Sequence, residues 1–204
     1  MNNIIVPVNQ MVEAFRSDSD MMYGLKHQHD GVKFQGLWQC DQYRGGSLIS
    51  GGYQEPPNIF TTEGMARFLN IVFHDIPKAA SEIWYVGIFK ANVTPALGDT
   101  AAAKLGAAGS YLECQDADYD DPATNKPGYT TADTATATIT NAVAGKAHFV
   151  MNASITVYGA FLGTGAAKTD TTGYLMSAKR FTASRAVIAD DELYVSYAIT
   201  CSSS

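Results

Sequence analysis

The sequence predicts a mainly β fold, an antiparallel β-sandwich with one short α-helix at about 61–74 and an extended N-terminal arm. Three observations carry this expectation. Short apolar or alternating runs recur through the C-terminal half at intervals of about 10–20 residues, with Gly, Asn and Asp between them, as strands joined by turns require. The last run puts Leu193, Val195, Tyr197, Ile199 and Cys201 on one face and Ser196 and Thr200 on the other, the period-two pattern of a half-buried strand. Helical periodicity is confined to one stretch.

Residues 1–57 read as the arm. Their apolar residues are scattered (Phe15, Phe34, Leu37, Trp38, Leu48, Ile49), glycine pairs recur at Gly45-Gly46 and Gly51-Gly52, and Pro56-Pro57 can continue neither a helix nor a ladder. One or two short strands, such as 32–38, fit within it, and the proline pair marks its hinge. Residues 58–204 then form the sandwich domain. Thr61 or Thr62 can cap a helix, with Glu63 in its first turn, where a carboxylate meets the positive end of the dipole. Met65, Phe68, Leu69 and Val72 follow at i, i+3, i+4 and i+7, an apolar stripe expected to dock on a sheet; Pro77 ends the helix. The run 83–89 is apolar on both faces and rich in β-formers, which predicts a central strand. Residues 91–125 are loop-like. Strict alternation over 134–139 puts threonines on one face, and strands are expected at 147–152, 155–162, 174–181 and 192–201.

Composition narrows the function classes. Lys and Arg number 14 against 20 Asp and Glu, a net charge of −6 that opposes binding to the phosphate backbone of nucleic acid. Cys40, Cys114 and Cys201 are odd in number, far apart and outside any C-x-x-C, so free thiols in a reducing cytoplasm are expected rather than a disulfide framework or a zinc knuckle. The first residues lack the basic and apolar regions of a signal peptide, and no run approaches the ~18 apolar residues of a membrane span. The sequons at Asn92 and Asn152 are then chance matches. No nucleic-acid or membrane partner is expected.

The chemical motifs mostly fail on inspection. Gly163-Thr164-Gly165-Ala166-Ala167-Lys168 begins like a dinucleotide fingerprint, but its sixth position is lysine and turn-formers follow where a phosphate-binding helix should open. Gly46 and Gly51 are spaced as in a P-loop, yet Gly52-Tyr53 stands where Lys and Ser or Thr would hold phosphate and magnesium. The run Asp116 to Asp121 resembles the first half of a calcium loop; Asp121 replaces its turn glycine and Pro127 its bidentate Glu, leaving at most a weak, adventitious calcium site. His27 and His29 offer two imidazoles, with Asp30 a carboxylate beside them, but an H-x-H points both rings one way only on a regular strand and a further ligand, such as His74 or Asp75, would have to come from elsewhere. Helix capping accounts for His74-Asp75 more simply than catalysis does. There is no G-x-S-x-G and no Cys in a catalytic context. The chain is therefore expected to be no enzyme and to hold no cofactor.

Several stretches together do carry a resemblance. Asn58-Ile59-Phe60-Thr61-Thr62-Glu63-Gly64-Met65 through Phe73 leads into Trp84-Tyr85-Val86-Gly87-Ile88-Phe89-Lys90 and Asn92-x-Thr94-Pro95. Val157-Tyr158-Gly159-Ala160-Phe161-Leu162 is followed by Thr172-Gly173-Tyr174-Leu175-Met176-Ser177-Ala178 and Asp191-Glu192-Leu193-Tyr194-Val195-Ser196-Tyr197. This layout, over about 58–201, resembles small virion structural proteins of tailed bacteriophages, of the kind encoded near capsid genes. The resemblance brings no catalytic residue. It implies a decoration or cement protein on the capsid exterior, made in the host cytoplasm, whose partners are the major capsid protein and further copies of itself, with a homotrimer as the expected number. A head-tail neck, tail or fibre-anchoring component is the nearest alternative.

An arm that reaches over a neighbouring subunit would bury aromatic side chains, and Phe34, Trp38, Tyr43 and Tyr53 are the candidates for this partner interface. Ordinary packing on the parent domain would account for them equally. A third reading, from a different class, is a glycan-binding module in which Trp38, Tyr43 or Tyr53 stacks on sugar rings; an exposed coplanar pair among them is its structural signature.

Overall fold

The computed structural model describes residues 32–54, 58–74 and 84–203. In chain order the described elements are β1 (Val32–Arg44), β2 (Ser47–Ser50), β3 (Ile59–Phe60), α1 (Thr62–Phe73), β4 (Tyr85–Phe89), α2 (Ala101–Lys104), β5 (Tyr119–Asp121), β6 (Thr138–Thr140), β7 (Ala147–Met151), β8 (Ile155–Gly163), β9 (Leu175–Val187) and β10 (Glu192–Ser203). Phe34–Cys201 form one compact unit, and the contacts described below lie within it.

The alternation of the last strand acts as its pattern implies. Leu193, Val195 and Tyr197 turn inward from β10 and are buried, and β10 pairs antiparallel with β7 through Leu193 opposite Phe149 and Tyr194 opposite His148. The first sheet runs β2-β1-β10-β7-β5, with β6 also on β10; the second runs β3-β9-β8-β4. Trp38 and Cys40 from one sheet meet Val86, Ile88, Val157 and Leu162 from the other in the shared core. The two antiparallel sheets and, among the described residues, the single helix longer than one turn match the expected sandwich.

Three expectations change. The first concerns the arm. Residues 1–31, including Phe15, His27, His29 and Asp30, lie outside the described residues. The chain that follows is not an arm: β1 is thirteen residues long and sits between β2 and β10, joined to β2 through Gly45 and Gly46, whose φ values of 55° and 76° are those a tight hairpin turn needs. The glycines that resembled a P-loop, Gly46 and Gly51, flank β2, the first of them within the turn. Scattered apolar spacing concealed a strand whose inward residues, Trp38, Cys40 and Gln42, mix apolar and polar types.

The second concerns 83–89. By strand order β4 is an edge, paired with β8 alone apart from single bridges at Tyr85–Gly128 and Phe89–Glu113. Both of its faces are nonetheless buried, because a second cluster of Phe89, Ala101, Leu105, Tyr111, Phe161 and Leu175 covers the outer side of this sheet. The loop-like segment at 91–112, carrying α2, supplies that cover.

The third concerns α1. Its boundaries agree with the sequence: Thr61 is the N-cap, accepting from the Gly64 N–H at 3.0 Å and donating to the Leu175 carbonyl, while the Glu63 carboxylate accepts from the N–H groups of Ala101 and Leu175. The orientation differs. Gly64 is the buried residue, so close to β9 that a Cβ there would lie 2.4 Å from the Met176 Cα, and Phe68 packs on Phe34 at 4.9 Å. Met65, Leu69, Val72 and Phe73 face outward, with Leu69 52%, Val72 50% and Phe73 78% exposed. The helix docks through Gly64 and Phe68, and among the described residues nothing covers Met65, Leu69, Val72 and Phe73. Pro77 lies outside the described residues.

Candidate functional site

The motifs of the 91–126 and 163–173 segments resolve into structural ties. Lys126 donates to Glu113 at 2.9 Å and to the Ala167 carbonyl, and Glu113 also accepts from the N–H groups of Gly106 and Thr169. Lys168, the residue that spoiled the dinucleotide fingerprint, is buried; it donates to the Tyr119 carbonyl, pairs with Asp116 at 2.9 Å and lies 3.9 Å over the Tyr119 ring. Asp118 accepts from Lys90 and from the Gln115 N–H. The calcium-loop reading fails here, since two of its carboxylates are neutralised by lysines and Tyr119–Asp121 is a strand paired with β7. No group of metal-ligating side chains occurs among the described residues, and no helix among them is long and apolar enough to cross a membrane. Cys40, Cys114 and Cys201 are free, and burial pushes the Cys40 thiol up to about 12.

The four aromatic residues expected at a partner interface separate. Trp38 is fully buried and stacks on Tyr197 at 4.2 Å and 16°, which makes it a core residue with no surface to offer. Phe34 is half-buried between Phe60 and Phe68. Tyr53 is 64% exposed beside Gln39. Tyr43 lines a cavity. An exposed coplanar pair including Trp38 is ruled out by its burial, and Tyr43 meets Tyr194 at 82° instead.

That cavity lies on the outer face of the first sheet. Because Leu193 and Val195 turn inward, Glu192 and Tyr194 turn outward, and the pairing with β7 sets His148 beside Tyr194. A shallow, open space of about 350 Å³ is lined by Tyr43, Gly46, Lys146, Glu192 and Tyr194. Tyr43 and Tyr194 stand nearly perpendicular with ring centroids 5.4 Å apart, and the His148 ring stacks on Tyr194 at 4.4 Å. Glu192 Oε2 accepts from Tyr194 Oη at 2.7 Å and from His148 Nε2 at 2.8 Å. Lys146 Nζ donates to Asp41 at 2.8 Å, and Gln39 donates to the same carboxylate.

These contacts fix the charges. The Tyr194 hydrogen bond first, and His148 second, hold the Glu192 carboxyl below the usual carboxylate range, while the same bond to Glu192 holds the Tyr194 phenol up. Burial pushes the Asp41 carboxyl up, but hydrogen bonds from Lys146, Gln39 and the Gly52 N–H outweigh it and leave the group lowered. The cavity therefore presents the Glu192 carboxylate bonded to a Tyr194 phenol that holds its proton, with Tyr43 and Lys146 beside them.

Sequence reasoning had Tyr43 but not Tyr194, Glu192, His148 or Lys146. The parity of the last strand already turned Glu192 and Tyr194 outward. What it could not supply was the neighbour on each side of β10. Comparison of the chain with protein-family models, with curated proteins and with solved structures gives no match.

Proposed function

We propose that the chain is a non-enzymatic structural protein of a phage virion, one that binds the outer capsid surface and decorates or cements the shell as a homo-oligomer. Its partners in this reading are the major capsid protein and further copies of itself, with a trimer as the expected number. The observation that carries the reading is the uncovered face of α1. Monomeric proteins rarely leave a continuous apolar stripe in water, and such stripes mark association surfaces. The occupant that fits best is a second copy of the same chain. Met65, Ala66, Leu69, Val72 and Phe73 carry no charge, so equivalent faces can meet without like-charge repulsion although the whole chain is at −6. The spacing of Met65, Leu69 and Val72 at i, i+4 and i+7 is the seam that paired helices use. Oligomers bound at repeating lattice positions gain avidity of roughly 10²–10⁴ over a single contact. The sequence resemblance supports the shell as the lattice, and the acidic charge keeps the protein from competing for packaged nucleic acid.

The test is co-sedimentation of the purified full chain with shells of the phage whose genome carries it, alongside the double variant Leu69→Glu/Phe73→Glu. The wild type should saturate the shell in many copies, while the variant should be monomeric by sedimentation velocity and bind at least tenfold more weakly. Saturation at a single ring per particle would move the protein to the neck. Absence of shell binding by the wild type would overturn the reading.

A further inference from the structure

We infer that the cavity formed by Tyr43, Gly46, Lys146, Glu192 and Tyr194 binds a neutral pyranose of a polysaccharide, an activity separate from shell attachment. The inference does not depend on the virion reading, since the cavity is on the outer face of the first sheet and α1 packs on the second.

Three features select this ligand class. The first is shape. A space of about 350 Å³ stands at the lower end of the ~300–1,000 Å³ range of small-molecule sites, and it is open rather than enclosed. One sugar ring can seat there while its chain continues into solvent. Gly46 at the rim has φ +76° and nothing within 4 Å of where a Cβ would stand, so the entrance is unobstructed.

The second is the aromatic corner. Tyr43 and Tyr194 meet edge to face at 82° and both line the space, so the ring surface they leave toward it can take up the C–H groups of a pyranose at little entropic cost, because each ring has only two side-chain torsions. Tyr194 is held in place by His148 stacked on it and by its bond to Glu192. A rigid platform binds more tightly than one that must be ordered on contact.

The third is polar chemistry. Glu192 Oε1 and the Tyr43 hydroxyl have no partner among the described residues, and Lys146 Nζ has three donors with one described acceptor, Asp41. A carboxylate oxygen and an ammonium in one site match a vicinal diol, in which one hydroxyl donates to Glu192 and its neighbour accepts from Lys146. A charged ligand has no such fit. The carboxylate of Glu192 opposes an anion, and the ammonium of Lys146 opposes a cation. Neutral, hydroxyl-rich and partly apolar is the combination left.

The experiment is a titration of the ¹⁵N-labelled full chain, followed by NMR, with maltopentaose, galactobiose, mannobiose and a rhamnose-containing oligosaccharide; 3′-sialyllactose is the acidic contrast. At least one neutral sugar should shift the amide signals of Tyr43, Gly46, Lys146 and Tyr194 in a saturable way, with sialyllactose at least tenfold weaker. Tyr43→Ala, on a half-exposed side chain, should weaken binding at least tenfold, and the near-isosteric Glu192→Gln should weaken it as well. No saturable shift with any neutral sugar overturns the inference, as does equal binding by both variants or preferential binding of sialyllactose. Because no shell is present, the result is read separately from that of the co-sedimentation.

Discussion

Lys126 and Glu113 are both almost fully buried, and their 2.9 Å pair is joined by the Gly106 and Thr169 N–H groups and the Ala167 carbonyl. Such a cluster adds little over an apolar equivalent, yet half of it is costly to leave behind. Lys126→Met should therefore lower the unfolding free energy in urea by about 3–5 kcal/mol, and Lys126→Met/Glu113→Leu should recover much of the loss. A double variant no more stable than the single one would show that the pair also shapes the loops it joins. Asp191 gives the pH counterpart. Its carboxylate is gripped by the Arg44 fork at 2.7 Å, by Gln42 and by the Ile188 N–H; the Arg44 bond is the largest cause of a lowered value, ahead of the opposing effect of burial. A carboxyl lowered on folding stabilises the native state above its unfolded value of about 3.9, and that contribution disappears as pH falls through the lower folded value. Asp191→Asn should accordingly be less stable than wild type at pH 7, with the gap closing below about pH 4. Denaturant midpoints measured from pH 7 to pH 2 decide it; a constant gap would assign the effect to geometry rather than charge.

Helix α1 shows what sequence can and cannot fix at the scale of an element. Its limits were legible, because a Thr cap, an acidic first turn and an apolar period are local signals. Which side faces the sheet was not. Met65-Leu69-Val72 has the same spacing whether it covers its own sheet or another molecule, and the residue that docks, Gly64, has no side chain to announce itself. Two forces act in opposite directions at that position. Gly64→Ala should gain about 1 kcal/mol in helix propensity. Its Cβ, however, would stand 2.4 Å from the Met176 Cα and 2.7 Å from the Met176 carbonyl oxygen, backbone atoms that cannot rotate away. Overpacking against yielding side chains already costs about 1–3 kcal/mol, so the clash prevails and the variant should melt several degrees lower. An unchanged melting temperature would mean that α1 lifts off β9 freely. The same absence of side chain recurs across β4 and β8, where Gly87 lies opposite Phe161 and Phe89 opposite Gly159, each ring filling the space over its partner's glycine. Apolar pattern alone called this strand central; the loop layer above it, not a further strand, supplies the burial.

For the molecule as a whole, the period-two strands at 147–151, 155–163 and 192–203 made the sandwich legible, while β1 and the outer cavity were not, since both depend on pairings between residues more than a hundred positions apart. Tyr43 and Tyr194 become neighbours only once β1 lies against β10. The same pairing decides where the body begins. A boundary at residue 57 would remove β1 and β2, taking Trp38 from its stack on Tyr197, Cys40 from the core and Arg44 from Asp191. Loss of a buried tryptophan alone costs about 3–5 kcal/mol, against a typical total of about 5–15 kcal/mol, and β10 would be left with an open edge along its buried length. A chain beginning at Val32 keeps both sheets and both apolar clusters. Deletion of residues 1–31 should thus give a soluble protein with cooperative unfolding, whereas deletion of 1–57 should give none. Only the shorter deletion can therefore ask what the first 31 residues contribute to the proposed shell binding. If the longer one folded cooperatively, β1 would be dispensable and the sandwich would have to close on β10 and β7 without it.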